Sequence, residues 1–468
     1  MTRQTAVDRA LSYFDSGSFK ADLTRRIAMP TESQNPERSG TLREYLDGEI
    51  RPALEAIGFT CRTLEERGWP FLFAERREDP SLPTVFGYGH GDVIRGLDDS
   101  WEEGLSPWRL TERAGRWYGR GIADNKGQHS INVGALAAVL KARGKLGFNA
   151  KFLLEVGEET GSPGLRELCT RHREIFRSDV LIASDGPRLS AERPTVFLGS
   201  RGCLNFDLWI EARKGGHHSG NWGGLLSDPA IQLAHAIASI CGPTGQIRIP
   251  EWVPREIPAS VRRALLDCEV DGGPEGPAID PSWGEPGLTP AERVFGWCSF
   301  TVLAQETGNP KTPVNAVPPR AWARCQLRFV VGVEAENVLP ALRRHLDRHG
   351  FSMVQIAKAR DEVFHPTRLD PDNPWVTWAA QSIAKTTGKK TAVLPNLGGS
   401  LPNDIFSAIL ELPTVWVPHS YPSCSQHAPN EHLPPSILRE ALALMAGLYW
   451  DLGEDGQRVL QSARSRPS

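Results

Sequence analysis

The chain has 468 residues, more than one ordinary hydrophobic core organises, and this predicts two domains or one large domain carrying a smaller insertion. Its formal charge of -3, with no long block of Lys or Arg, excludes the concentrated basic face that a nucleic-acid partner requires and leaves small neutral or anionic substrates open. Charges in residues 1–10 and the lack of an apolar run of membrane-spanning length predict a cytoplasmic protein with no membrane partner. The eight cysteines are dispersed without a Cys-x-x-Cys pair, which fits reduced thiols and not a disulfide frame.

In chain order, the first half predicts a helix over 42–57, an apolar strand over 84–89, a helix over 130–143 and two further strands over 151–156 and 179–184. Continuous apolar strands separated by helices are the pattern of a mostly parallel sheet with helices on both faces, hence α/β. From about Phe197 the pattern changes to alternating strands over 203–211, 321–331 and 352–358, with amphipathic helices over 228–240 and 335–349. That order, with room for one more strand, predicts a ferredoxin-like α+β unit. Residues 242–297, rich in Pro, Gly and Trp, read as a long irregular insertion, either functional or a surface embellishment. After the turn-rich segment 370–374 the α/β pattern resumes, with a strand over 413–417 and a helix over 435–450. The expected division is therefore a catalytic domain in two parts, 1–196 and 366–468, with an inserted lid or dimerisation domain at 197–365.

Candidate metal ligands stand where the apolar strands end. His90 closes the 84–89 strand, Glu158 and Glu159 follow the 151–156 strand, and Asp185 follows the 179–184 strand. In an open parallel sheet the carboxyl ends of the strands form the ligand crevice, so residues distant in sequence converge there. Asp124 lies in a glycine-punctuated loop, 119–127, that opens a helix, a position suited to a carboxylate shared by two ions. His427 comes shortly after the 413–417 strand. With one acid of the Glu pair, these make two imidazoles and three carboxylates, a set that suits two Zn2+ ions, with Co2+ or Mn2+ as substitutes. Such ions lie roughly 3.5–4 Å apart and hold water between them. Asp92 is placed to accept the other ring N–H of His90.

Other readings of the same residues lose ground. The 119–127 loop lacks the Gly-Lys-Ser/Thr ending of a nucleotide cradle. No Gly-x-Ser-x-Gly elbow appears on a strand-to-helix turn, which weakens a serine-hydrolase reading.

Taken together, Gly89-His90-Gly91-Asp92-Val93, the 119–127 loop, Glu158-Glu159-Thr160-Gly161-Ser162, Ser184-Asp185-Gly186, His218-Ser219-Gly220, Gly398-Gly399-Ser400-Leu401-Pro402 and His427-Ala428-Pro429-Asn430-Glu431 resemble the co-catalytic di-zinc metallopeptidases. That family includes carnosinase, acetylornithine deacetylase, succinyl-diaminopimelate desuccinylase, aminoacylase and glutamate carboxypeptidase. The resemblance implies that His90, Asp124, Glu159, Asp185 and His427 hold two zinc ions, with Asp124 bridging and Glu158 as general base. It further implies a homodimer, in which His218 reaches the partner's site to bind the oxyanion and Asn315 helps bind the partner's substrate. Arg328 is implied to pair with the substrate carboxylate, with Gly399 and Ser400 adding donors. The long insertion resembles the carnosinase-like branch. The activity implied is hydrolysis of an amide bond in a small substrate with a free carboxylate, most simply a dipeptide. The alternatives are deacylation of an N-acyl amino acid by the same residues, or a non-catalytic protein that binds a small ligand through its metals.

Overall fold

A computed structural model of the chain describes residues 1–273, 275–359 and 363–465. Its largest sheet has eight strands, in the order Thr60–Glu66, Trp69–Arg76, Asn149–Glu155, Thr84–His90, Val180–Ala183, Thr414–Trp416, Thr195–Phe197 and Ala392–Leu394. Four neighbouring pairs run parallel, including both neighbours of Thr84–His90, and three run antiparallel. The central strands are buried on both faces, which is why their sequences are nearly continuous apolar runs. One face is covered by the helices Arg3–Asp15, Lys126–Arg143, Pro374–Thr387 and Pro435–Arg464, with Ile131, Leu136, Trp375 and Leu438 in the core beneath them. The other packs Phe86, Tyr88 and Trp416 against Leu168, Phe176 and Phe406. The α/β class read from the sequence is what the chain forms.

A second sheet is antiparallel, with strands in the order Ser299–Thr307, Arg320–Phe329, Gly202–Glu211 and Gln355–Lys358. Numbered along the chain, that order is 2-3-1-4, the ferredoxin-like arrangement, and Ser299–Thr307 is the strand for which room was left. Residues of Gly202–Glu211 and Arg320–Phe329 alternate between buried and half-buried. The buried set meets Leu233, Ala236, Leu342 and Leu346 of the helices Pro229–Ile240 and Ala335–Arg348.

The structure departs from the expected elements at several places. The 42–57 helix is three consecutive helical segments, Ser39–Glu44, a π-helical Tyr45–Ile50 and Arg51–Glu55. The Lys126–Arg143 helix starts four residues before 130, because its first turn buries polar Lys126, Gln128 and His129, which carry no apolar period. The last helix continues to Arg464, although Gly453 and Gly456 resemble a stop. A Cβ on Gly453 would collide with the backbone of Leu146 and the Arg143 guanidinium, so this glycine serves close packing. Residues 242–297, expected to be irregular, contain the helices Ala259–Leu265 and Pro290–Phe295, and their apolar side chains enter two cores. Ile249 and Trp252 join the α+β core, while Ile257, Val261, Leu265 and Ala291 join a core of the large sheet.

Candidate metal centre and substrate cleft

The carboxyl ends of the parallel strands deliver the candidate ligands to one place. His90 is the last residue of its strand, and Glu158 and Glu159 open a 3-10 turn, Glu158–Thr160, just beyond Asn149–Glu155. Asp185 lies two residues past Val180–Ala183, and Asp124 two residues before the Lys126–Arg143 helix. His427 sits in a loop where Ser425, His427 and Asn430 all have positive φ, a conformation that L-residues hold only when their surroundings impose it.

His90 Nε2 lies 3.0 Å from Asp124 Oδ1 and 3.7 Å from Asp185 Oδ2. His427 Nε2 lies 2.9 Å from Asp124 Oδ2 and 3.1 Å from Glu159 Oε2. Two groups of three ligand atoms result, His90/Asp124/Asp185 and Asp124/Glu159/His427, each confined within 4.8 Å and joined through the two oxygens of Asp124. Asp92 is buried beneath them. Its Oδ1 lies 3.3 Å from His90 Nδ1, and its two oxygens accept the backbone N–H groups of Glu158 and Glu159 at 3.2 and 3.1 Å. Asp92 therefore sets both the His90 ring, whose Nδ1 lies 3.1 Å from its backbone carbonyl, and, through its carboxylate, the turn that carries the Glu pair.

The electrostatics fit divalent cations. Burial, reinforced by the charge of Asp124, pushes Glu159 up to about 7 and Asp185 up to about 6. Burial also holds Glu158 well above the ordinary carboxylate range, with Glu159, Asp185 and Asp124 adding to it against the opposing effect of His90. Asp124 moves the other way: burial would raise it, but hydrogen bonds with His427 and His90 hold it well below its usual value. Four desolvated acids facing two imidazoles make a concentration of negative charge that cations relieve, and mixed nitrogen and oxygen donors suit zinc, cobalt or manganese.

A cavity of about 510 Å³ opens onto this cluster, lined by Asp124, Glu158, Asp185 and His427. Arg328, Gly399 and Ser400 line it as well. Arg328 Nη1 donates to Ser400 Oγ at 3.1 Å and its Nε to Gln326 Oε1 at 3.0 Å, so no carboxylate of the chain neutralises it among these bonds. A larger hollow of about 630 Å³, walled by Arg166, Glu336 and His365, contains none of the candidate ligands, and chemistry rather than size marks the smaller one as the candidate cleft. His218 and Asn315, both exposed, are brought together elsewhere, at a two-stranded ladder in which His217–His218 pairs with Ala316–Val317. The Asn315 carbonyl accepts the Ser219 N–H at 2.9 Å. Among the described residues neither His218 nor Asn315 hydrogen-bonds to a candidate ligand.

Three contributors escaped the sequence reading. Glu431 is buried and accepts from the backbone N–H groups of Ala123 at 2.8 Å, Gly121 at 3.1 Å and Asp124 at 3.2 Å, and from Arg120 at 2.8 Å. It binds the loop of His427 to the loop of Asp124. Gln426 donates its amide to Asp124 Oδ2. Arg201 donates to the Gly398 carbonyl at 2.8 Å and to Ser299 Oγ at 3.1 Å, and burial together with nearby Arg328 pushes its pKa down to about 10. Glu431 stands only four residues after His427, but nothing in that spacing tells that its partners lie some three hundred residues earlier.

Paired cation sites at the carboxyl ends of parallel strands are a feature of metal-dependent hydrolases. The chain belongs to peptidase family M20/M25/M40, whose model matches residues 87–451, so the resemblance drawn from the motifs is borne out. Over 400 residues it is 39% identical to the Beta-Ala-His dipeptidase of Mus musculus, covering 82% of this chain and 80% of that protein. It is 28% identical over 332 residues to the cysteinylglycine-S-conjugate dipeptidase of Corynebacterium striatum, covering 68% and 70%. The crystal structure of human carnosine dipeptidase 1 superposes with a TM-score of 0.78 over 96% of this chain and 99% of that one, at 22% identity, which shows the shared fold. The chain is thus a hydrolase of the metallopeptidase class. Among the described residues no helix is long and apolar enough to cross a membrane.

Proposed function

We propose that this protein is a dinuclear metallodipeptidase that cleaves the amide bond of a small peptide with a free carboxylate. One observation carries the reading: two ligand triads sharing Asp124 open onto the same cavity as Glu158 and Arg328, whose guanidinium donates to Ser400 and Gln326. The relatives whose names are dipeptidases support the substrate class. His90, Asp124 and Asp185 would hold one cation, and Asp124, Glu159 and His427 the other, zinc being the ion this donor set suits best. When bound, the pair supplies Lewis acidity, polarising the scissile carbonyl and making water a stronger acid.

Glu158 does the proton work. Its carboxylate accepts a proton from the attacking water and passes it to the leaving nitrogen, while Asp92 holds its backbone in place. Arg328 binds the substrate carboxylate through its planar fork, and the Ser400 hydroxyl and Gly399 N–H add donors beside it. The active unit is a homodimer, in which the exposed His218 and Asn315 complete the partner's site, His218 stabilising the developing oxyanion. Their exposure and their distance in the hydrogen-bond network from this chain's own ligands support that role. We place the inserted unit at 197–365 as the element that carries both residues, and the catalytic unit at 1–196 and 366–468.

The test is turnover of dipeptides and N-acyl amino acids by metal-loaded protein, alongside Glu158→Gln. Wild type should cleave dipeptides and stop on chelation, and the variant should keep its metal while losing roughly 10²–10⁴-fold in rate. Cleavage of N-acyl amino acids alone would replace the reading with a deacylase; binding without turnover would replace it with a ligand-binding protein.

A further inference from the structure

The cleft has two chemically different sets of lining residues: Asp124, Glu158, Asp185, His427 and Arg328, and an apolar wall of Leu189, Val270, Val294, Phe295, Leu394 and Leu397. Three of these six, Val270, Val294 and Phe295, belong to the 242–297 insertion. Each is half-buried, and Leu189, Val270 and Phe295 pack against the core that contains Leu394 and Leu397 while still facing the cavity.

The insertion is fixed rigidly enough to shape a pocket. The helix Pro290–Phe295 has Pro at its start and a capping box in which Thr289 and Glu292 satisfy each other's backbone N–H groups. Glu292 also pairs with Arg262 at 2.6 Å. Ion pairs tie the segment to the large-sheet unit: Asp267 to Arg193 and to Lys390, both at 2.6 Å, Arg263 to Asp372 at 2.6 Å, and Glu275 to Arg116. At its other end Trp252 is buried in the α+β core and donates to the Val338 carbonyl at 2.9 Å.

The wall lies beside the carboxylate-binding side of the cleft. A Cβ on Gly398 would sit 3.0 Å from Val294 Cγ1 and 3.8 Å from Phe295 Cε1, so the insertion helix rests directly on the glycine loop that presents Gly399 and Ser400 to Arg328. Along the other edge, Leu397 packs against Gly186, next to Asp185. A substrate residue whose carboxylate is held at Arg328 therefore turns its side chain toward this apolar surface. The one cation beside the wall among the described lining residues is Arg188, whose Nη1 is engaged by Glu440 and whose Nε donates to the Pro418 carbonyl, while its Nη2 has no partner there. A lysine side chain would lose water without gaining a partner.

Building on the dipeptidase reading, we propose that the insertion sets side-chain choice: Val270, Val294 and Phe295, with Leu394 and Leu397, receive an apolar side chain on the carboxylate-bearing residue. Dipeptides ending in leucine or phenylalanine are the preferred class, and those ending in glycine or lysine are disfavoured.

The experiment measures kcat/KM of the metal-loaded full chain on Ala-Leu, Ala-Phe, Ala-Gly and Ala-Lys. Apolar pockets discriminate by about 10–200-fold per methylene-sized difference, so Ala-Leu should exceed Ala-Gly by at least about tenfold. Phe295→Ala and, separately, Val270→Ala should each lower the Ala-Leu to Ala-Gly ratio several-fold, whatever happens to the absolute rates. A wild-type preference for Ala-Gly or Ala-Lys overturns the inference, as does a ratio untouched in both variants, and either result leaves the dipeptidase reading standing. If dipeptides are inert but N-acetyl amino acids are cleaved, the dipeptidase reading falls, and the same ratio on N-acetyl-leucine and N-acetylglycine decides the role of the wall. Inertness toward both classes overturns both.

Discussion

Replacing Glu431 with Gln tests whether the two loops of the metal centre are held together by one buried carboxylate. Glu431 and Arg120 are each about 1% exposed, so solvent screens their 2.8 Å contact little. Burial nevertheless raises the pKa of Glu431 above its ordinary value, with Arg120 and the N–H groups of Ala123 and Gly121 only partly opposing it. The ion pair as a unit therefore adds little net stability, while removal of one member strands the other charge at a cost of about 3–5 kcal/mol. Glu431→Gln should destabilise the metal-free protein by that amount in urea unfolding. The Arg120→Met/Glu431→Gln double variant should recover a large part, because no unpaired guanidinium remains. The consequence reaches the metal: Oε1 serves Ala123 and Asp124 while Oε2 serves Arg120, so the single acceptor of Gln cannot satisfy both without turning its amide N–H groups on one of them. Disturbed support of the backbone that sets the shared ligand weakens metal binding by about 10–100-fold. Competition with a chromophoric chelator measures this. A Glu431→Gln protein within about 1 kcal/mol of wild type that also has unchanged metal affinity would refute the reasoning.

Substituting His218→Ala should lower kcat by about 10²–10³-fold with metal content unchanged. Mixing His218→Ala with Glu158→Gln subunits should restore activity, and a mixture as inactive as its parents would show that His218 does not act across subunits. Arg328→Lys keeps the charge but loses the fork, and should raise KM for dipeptides by roughly 10–100-fold with a smaller change in kcat, read from steady-state kinetics. Metal uptake should release protons. In the metal-free protein, burial lowers His427, but hydrogen bonds and charges from Asp124 and Glu159 outweigh it and push it up to about 11, so near neutral pH it is protonated and must lose that proton to ligate. Affinity should therefore weaken as pH falls from 8 to 6, and calorimetry in buffers of different ionisation enthalpy should give different apparent enthalpies; identical enthalpies would contradict this.

The parallel strands were readable from sequence because burial on both faces forces continuous apolar runs, and each run points at the residue just past its end. His90, Glu158, Glu159 and Asp185 were found in that way. The hairpin Thr60–Glu66/Trp69–Arg76 was not: its first strand, at the sheet edge, reads Thr-Cys-Arg-Thr-Leu-Glu-Glu and has only one fully buried residue, so periodicity is faint. Its turn, at Arg67 and Gly68 with both φ positive, offers only a single glycine as a signal. Similarly, the insertion looked irregular because its apolar residues serve two cores, and neither imposes its own period on the segment.

The division of labour between Glu158 and Glu159 shows what local pattern cannot carry. Two adjacent acids after an apolar strand are equivalent in sequence. In the fold they share one support, Asp92, which accepts both of their N–H groups, yet their side chains diverge: Glu159 reaches His427, while Glu158 lines the cavity that also holds Arg328. A tight 3-10 turn produces that divergence, since successive side chains are rotated by about 120°. The positions of Asp92, Arg201 and Glu431 follow the same logic at longer range. Each directs hydrogen bonds to backbone groups of another segment, Asp92 to the Glu pair, Arg201 to Gly398, and Glu431 to the 121–124 loop. Backbone N–H and C=O groups are the same at every residue, so such contacts leave no complementary residue for a sequence to display. The ligands themselves are legible because a metal demands particular side chains, and Asp92 because it stands two residues from His90, whereas the supports that come from distant segments, Arg201 and Glu431, are written in geometry alone.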